Sequence, residues 1–132
     1  MLLPHQIQWA EDLYEGALAS EGFFDYEPVL VHADLAPYHI LFDERNHIIT
    51  GILDFGTAGV GDAAQDFGTL LSAYGEQFVV KMGVTYPGLD HLLPRARFRA
   101  QAIELQWVLS GIESGENFWF TAHLGGARDI RC

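Results

Sequence analysis

The chain is poor in positive charge. It holds one lysine, Lys81, and 7 lysines and arginines against 18 aspartates and glutamates, for a net charge of -11 over 132 residues. Such a surface repels phosphate backbones, so nucleic acid is not expected as a partner, whereas a cationic small molecule is compatible with it. Cysteine is nearly absent too. The single Cys132 has no partner for an internal disulfide, which points to a cytoplasmic protein with an incidental surface thiol. No apolar run approaches the roughly 20 residues of a membrane span, and no basic segment precedes an apolar run near Met1, so neither a membrane nor a signal peptide is expected. There is no internal repeat and no low-complexity tract. What the chain does have is apolar content, 49% of its residues, enough for one compact domain with a core of its own.

The chain is organised around the stretch VHADLAPYHILFDERNHIITGILDFGTAGVGD, residues 31–62. Two carboxylates stand at the ends of apolar β-type runs: Asp34 after Val29-Leu30-Val31, and Asp54 after Ile48-Ile49-Thr50-Gly51-Ile52-Leu53. An ionised carboxylate there is costly unless it is paired, metal-bound or exposed in a cleft. A hairpin between the runs can bring the two ends together, which suggests a metal or proton-transfer site.

The order His32-x-Asp34, then His39, then Asp54-Phe55-Gly56 resembles the H-x-D-x-x-x-x-N and D-F-G loops of protein-kinase-like enzymes. The wording HADLAPYHILFD and GILDFGTAGVGDAAQDF is closer still to the aminoglycoside phosphotransferase family. It is most similar to members with His in place of Asn, among them the 2''-aminoglycoside and macrolide phosphotransferases. A lone D-F-G is weak evidence; the ordered set with Asp62 and Asp66 is specific.

Apolar spacing over 5–20 predicts a helix ended by Gly22, with Trp9 and Tyr14 as core. Strands are expected at 29–31, 40–42 and 48–53, with a loop at 32–38 that Pro37 keeps from becoming helix and a polar turn at 43–47. Gly56, Gly59 and Gly61 mark an irregular loop. A helix over 63–82, with Asp62 or its neighbour as N-cap, carries the stripe Phe67, Leu70, Leu71, Tyr74, Phe78 and Val79. Pro94 separates a short turn at 89–93 from a helix over 95–113 bearing Phe98, Ile103, Trp107 and Ile112, and Gly115 ends it. A short helix or coil follows over 117–127. The expected fold is α+β, a protein-kinase-like and mostly helical C-terminal lobe in which a small β-hairpin carries the catalytic and metal loops.

The resemblance implies a role for each motif residue. Asp34 would accept or orient the proton of an acceptor hydroxyl; its alternative is a turn cap. Asp54 would hold Mg²⁺, a hard cation that prefers oxygen. His39 would be the second metal ligand, although imidazole suits softer metals better; its alternative is packing against Leu41 or Phe42. His32 would brace the loop, and Asp62 and Asp66 would support it from the helix start. ATP or GTP is the implied phosphate donor. For an antibiotic-like or metabolite acceptor, Glu76, Glu104, Glu113, Glu116 and Trp119 are the candidate contacts, with Trp107 read as core and Trp119 as either core or substrate-facing. The family places an acidic cluster early in the helix after D-F-G, whereas this chain reads Leu70-Leu71-Ser72-Ala73-Tyr74 with Glu76 alone nearby.

The resemblance covers one lobe. There is no Gly-rich strand pair and no V-A-I-K-like strand, and Lys81 lies in a predicted helix, so the nucleotide-covering N-terminal lobe is expected to be absent from residues 1–132. Two readings follow: a small-molecule kinase lobe that is weak or inactive alone, or a non-catalytic remnant that acts as a binding or self-associating module. In the second, a homodimer would use the face left by the missing lobe.

Overall fold

The computed structural model describes residues 4–115. Glu116 and Trp119, and the expected helix or coil over 117–127, lie outside the described residues. The chain opens with helix α1 (Pro4–Ala19) and then strand β1 (Val29–Val31). Strands β2 (Ile40–Asp43) and β3 (Ile48–Ile52) follow, then β4 (Gly59–Gly61). Helices α2 (Ala64–Tyr74), α3 (Glu76–Lys81) and α4 (Leu89–Ser114) complete it.

The strands form two antiparallel ribbons. β2 pairs with β3 as the expected hairpin, with a register shift between Leu41 and Phe42. Its turn is tied by Asp43, whose carboxylate accepts from the backbone N–H groups of Arg45 and Asn46 and from the Asn46 amide. Those bonds, the Asn46 amide first, hold the exposed Asp43 carboxyl below its ordinary range. The second ribbon pairs β1 with β4, Val31 opposite Gly59. The three glycines over 56–61 had pointed to an irregular loop. Instead Gly59-Val60-Gly61 is a strand; a Cβ on Gly61 would sit 3.3 Å from Val31 Cγ2, so glycine eases this pairing. Pro37 also behaves differently from expectation. It starts a single 3₁₀ turn, Pro37–His39, where its missing N–H is no loss.

The core lies between α2 and α4. Phe67, Leu70 and Leu71 of α2 and Val79 of α3 pack against Leu92, Leu93, Ala96 and Ala100 of α4. Gly68 allows the closest approach: a Cβ there would fall 2.7 Å from Arg99 Cβ. The helix expected over 63–82 is divided at Gly75, whose φ of 78° ends α2 and starts α3. Tyr74 and Phe78, assigned to the buried stripe, are instead partly exposed and stack on each other at 4.8 Å.

Pro94 does not divide α4. It sits one turn inside the helix, where it forgoes one bond, and the helix runs unbroken to Ser114. The buried ladder of α4 is Ala96, Ala100, Glu104 and Val108 at four-residue spacing, and its two alanines belong to the core packed against α2. Ile112, expected among the apolar positions, is 52% exposed. α1 packs on α4 through an aromatic cluster in which Phe98 meets Tyr14, Phe23 and Phe24 edge-on at 5.4–5.8 Å. No helix among the described residues is long and apolar enough to cross a membrane.

Candidate active site

The two ribbons deliver their strand ends to one place. β1 leads into Asp34, β3 leads into Asp54, and His39 stands between them. His39 Nδ1 is 3.5 Å from Asp34 Oδ2 and Nε2 is 3.6 Å from Asp54 Oδ2. Nδ1 also lies 2.8 Å from the Asp34 carbonyl. A carbonyl only accepts, so Nδ1 donates, which leaves Nε2 as the ring nitrogen facing Asp54. The Leu53 N–H donates to the His39 carbonyl at 2.8 Å, which ties the two loops directly.

His32 is buried behind this row. Its Nε2 is 2.8 Å from the Leu53 carbonyl and its Nδ1 is 3.3 Å from the Asp34 N–H. One tautomer satisfies both: Nε2–H donates to Leu53 and Nδ1 accepts from Asp34. The ring lies 4.7 Å from that of Phe55, and Thr57 Oγ1 donates to the His32 carbonyl at 3.1 Å. His32 thus joins the loop after β1 to the loop after β3.

Asp66, in the first turn of α2, accepts from the His32 and Ala33 N–H groups, both at 2.8 Å. Ala33 has φ of 67° and Asp54 φ of 59°, left-handed conformations that cost non-glycine residues roughly 1–3 kcal/mol each and persist where neighbours enforce them. At Ala33 the enforcing neighbour is Asp66. Asp62 is 5% exposed. Its Oδ1 accepts from the Ala64 N–H at 3.0 Å, and the Arg95 guanidinium meets both oxygens at 2.8 and 3.2 Å. Burial pushes the Asp62 carboxyl up, but the Arg95 hydrogen bond, the Ala64 N–H and the charges of Arg95 and Arg99 together hold it below its ordinary range.

A cleft of about 580 Å³ opens beside Asp34, between the loop at 33–38 and helices α2 and α4. Its lining includes Tyr38, Thr57, Thr69 and Ser72, and from α4 Ile103, Glu104, Gln106 and Trp107. Of the expected acceptor contacts, Glu104 therefore borders the cleft. Glu76 does not; Arg97 grips its carboxylate through Nε, at 3.2 Å, and Nη2. Glu113 is exposed near the end of α4, away from the lining. Trp107, read as core, is a half-buried wall of the cleft.

Tyr38, Thr57 and the arginines of α4 escaped the sequence reading as site residues, and Trp107 was assigned there to the core. The signal for the arginines was present: in a chain with so few cations, Arg95, Arg97 and Arg99 recur every second residue and have acidic partners to meet. Tyr38 carried no signal apart from its place before His39. Its hydroxyl is held above its ordinary range by burial and by the negative charges of Asp34 and Asp54.

Among the described residues no three His, Cys, Asp or Glu side chains converge on one point. A two-donor set of His39 Nε2 and Asp54 fits a cation that keeps waters and takes its remaining ligands from phosphate, as Mg²⁺ does. The imidazole nitrogen makes that set more hospitable to a transition metal than two oxygens would be.

Comparison with known proteins defines the class. Three solved structures share the fold over nearly the whole chain. The GDP complex of aminoglycoside 2'-phosphotransferase-IIIa superposes with a TM-score of 0.80 at 24% identity, covering 93% of this chain. A GDP and kanamycin complex of APH(2")-IIia gives 0.79 at 25% over 91%, and macrolide 2'-phosphotransferase type I gives 0.70 at 22% over 95%. The fold is therefore that of kinase-like antibiotic phosphotransferases, here as a mostly helical α+β unit. The phosphotransferase enzyme family model matches residues 3–103, and the chain belongs to that family. Among curated proteins, the uncharacterized protein YcbJ of Bacillus subtilis (strain 168) is 42% identical over 53 residues, 40% of this chain and 17% of YcbJ. The chain spans 42% of the length of each of the three solved structures.

Proposed function

We propose that residues 1–132 are the C-terminal, catalytic and acceptor-binding lobe of a small-molecule kinase acting in the cytoplasm. The observation that carries this reading is the position of His39 between Asp34 and Asp54, with its tautomer set by the Asp34 carbonyl. In the reaction proposed, an acceptor hydroxyl attacks the γ-phosphorus of ATP or GTP, the bond to the bridging oxygen breaks, and the hydroxyl proton passes to Asp34. Asp34 is suited to this because it borders the cleft and its side chain is 43% exposed. His39 and Asp54 would hold Mg²⁺, which when bound neutralises charge on the donor phosphates. His32, Asp62 and Asp66 keep the two loops in register. Glu104, which borders the cleft, is the acidic residue assigned to its acceptor side.

The test is calorimetric titration with Mg·ATP and Mg·GTP, the Asp54→Ala variant run in parallel. Heat that disappears in the variant is the expected result. No heat with either nucleotide, or equal heat in the variant, removes the reading. Repeating the titration with Mn²⁺ should give tighter binding than with Mg²⁺, a preference that His39→Asn reverses.

A second reading, a self-associating module without catalysis, draws on the apolar surface of the β2–β3 hairpin. Phe42, Ile48 and Ile49 on this ribbon are 53%, 52% and 62% exposed. A homodimer through this face is expected by that reading, and a monomer in sedimentation velocity at high concentration would refute it.

A further inference from the structure

We infer that the groove between α1 and the first half of α4 docks an amphipathic, basic helix of a partner protein, seated at Gly16. The inference stands apart from the phosphotransferase reading, because this groove and the cleft beside Asp34 share no lining residue.

Of the 16 residues of α1, Ala17 alone is buried. Trp9 and Leu13 are half-buried and line a groove of about 610 Å³, together with Phe23 and, from α4, Pro94 and Phe98. A helix of this length draws most of its stability from a packed apolar face, and here that face is only half covered. Gly16 and Ser20 stand one turn apart on the same lining. Glycine weakens a helix interior relative to alanine. Nothing among the described residues requires it at this position, since a Cβ on Gly16 would meet no atom beyond its own helix within 4 Å. With Ser20 it leaves a shallow seat that the backbone of another helix can approach closely.

Charge decides the occupant. No lysine or arginine precedes Arg45, whereas Glu11, Asp12, Glu15, Glu21, Asp25 and Glu27 fall on α1 or in the segment after it, and all are exposed. Asp12 lines the groove itself, and Arg97, the cation of the lining, is engaged by Glu76. A second copy of the chain would bring the same acidic surface against this one, and nucleic acid or an anionic membrane would be repelled. A helix with apolar residues at i, i+3, i+4 and i+7 and lysines or arginines on its flanks meets both requirements. Its apolar stripe covers Trp9, Leu13 and Phe98, and its cations face the carboxylates.

The probe is a synthetic helix of about 18 residues with leucines at that spacing and lysines elsewhere; a counterpart carries glutamates in place of the lysines. Binding to the full chain is read by fluorescence anisotropy at physiological salt, self-association by sedimentation velocity, and folding by circular dichroism melts. The lysine peptide is expected to bind one per chain, and the glutamate peptide at least ~10-fold more weakly. Gly16→Leu fills the seat and should weaken the lysine peptide by at least ~10-fold, while the chain melts no lower than the parent because leucine is the better helix former. Trp9→Ala should weaken the same peptide, and Ile49→Ser, on the β2–β3 hairpin, should leave its affinity unchanged. No binding of the lysine peptide, equal binding of the two peptides, or full affinity in Gly16→Leu overturns the inference. Binding lost in Ile49→Ser places the peptide on the hairpin and overturns it as well. So does a dimer of the chain alone that Gly16→Leu dissociates, which would assign the groove to a second copy.

Discussion

Four aspartates, Asp34, Asp54, Asp62 and Asp66, fall into two pairs with opposite surroundings. Asp62 and Asp66 are bound on several sides, the first by Arg95 and the Ala64 N–H, the second by two successive N–H groups of the loop after β1. Asp34 and Asp54 have side chains 43% and 63% exposed, and their close neighbour is a histidine. One residue type thus does two jobs. Saturated carboxylates fix the backbone, and that rigidity holds the exposed pair at the mouth of a cleft with capacity left for a ligand. Of the three left-handed non-glycine residues among those described, Ala33 and Asp54 lie in these loops and His47 in the hairpin turn, and Asp66 holds the backbone at Ala33.

The comparison breaks most visibly at Asp62. Asp62→Ala removes one member of a buried ion pair and strands Arg95, so urea unfolding should show a loss of about 3 kcal/mol. The pH dependence has a definite sign. Because the folded Asp62 carboxyl lies below its ordinary value of 3.8, its stabilisation is present above that pH and is lost as pH falls through the lower folded value. Acid unfolding of Asp62→Asn should therefore lack this component below pH 3.8.

Asp66→Ala comes next. It leaves the His32 and Ala33 N–H groups without an acceptor, at roughly 2 kcal/mol, and releases the strain at Ala33. Amide exchange at His32 and Ala33 should accelerate more than exchange in the α2–α4 core. Uniform acceleration would instead mean that Asp66 supports the whole domain and not the loop.

The smallest effect is expected on the exposed side. Asp34→Asn and Asp54→Asn keep shape and tolerate the backbone, so each should stay within about 0.5 kcal/mol of the parent while altering ligand binding. A loss above 2 kcal/mol in either variant would erase the distinction between bracing and exposed aspartates.

Much of this division could be read in the residues. The H-x-D and D-F-G loops, the intervening hairpin and the placement of Asp62 and Asp66 at a helix start all follow from short-range patterns. So do α1, the capping at Gly115 and the apolar stripe around Phe67 and Leu70. Local pattern failed where a residue's partner is remote. Gly59-Val60-Gly61 looks like a loop until β1 lies beside it, because glycine strands acquire their order from pairing. Pro94 looks like a break until the four-residue ladder of α4 is packed on α2, and that packing outweighs one missing hydrogen bond. Trp107 looks like core because its apolar bulk says nothing about which helix face turns to a cleft.

By itself the sequence determined the identities and spacing of the site residues, since strand, turn and helix signals act over a few positions and the motif is a property of the chain. The tertiary structure alone decided which carboxylates pair with arginines and which border the cleft. Arg97 reaches Glu76 across 21 positions and Arg95 reaches Asp62 across 33. Glu104 and Tyr38 meet the same cleft from distant parts of the chain. Charge pairing and burial depend on distance in space, and only the packing of α4 against α2 and the ribbons brings those groups within reach.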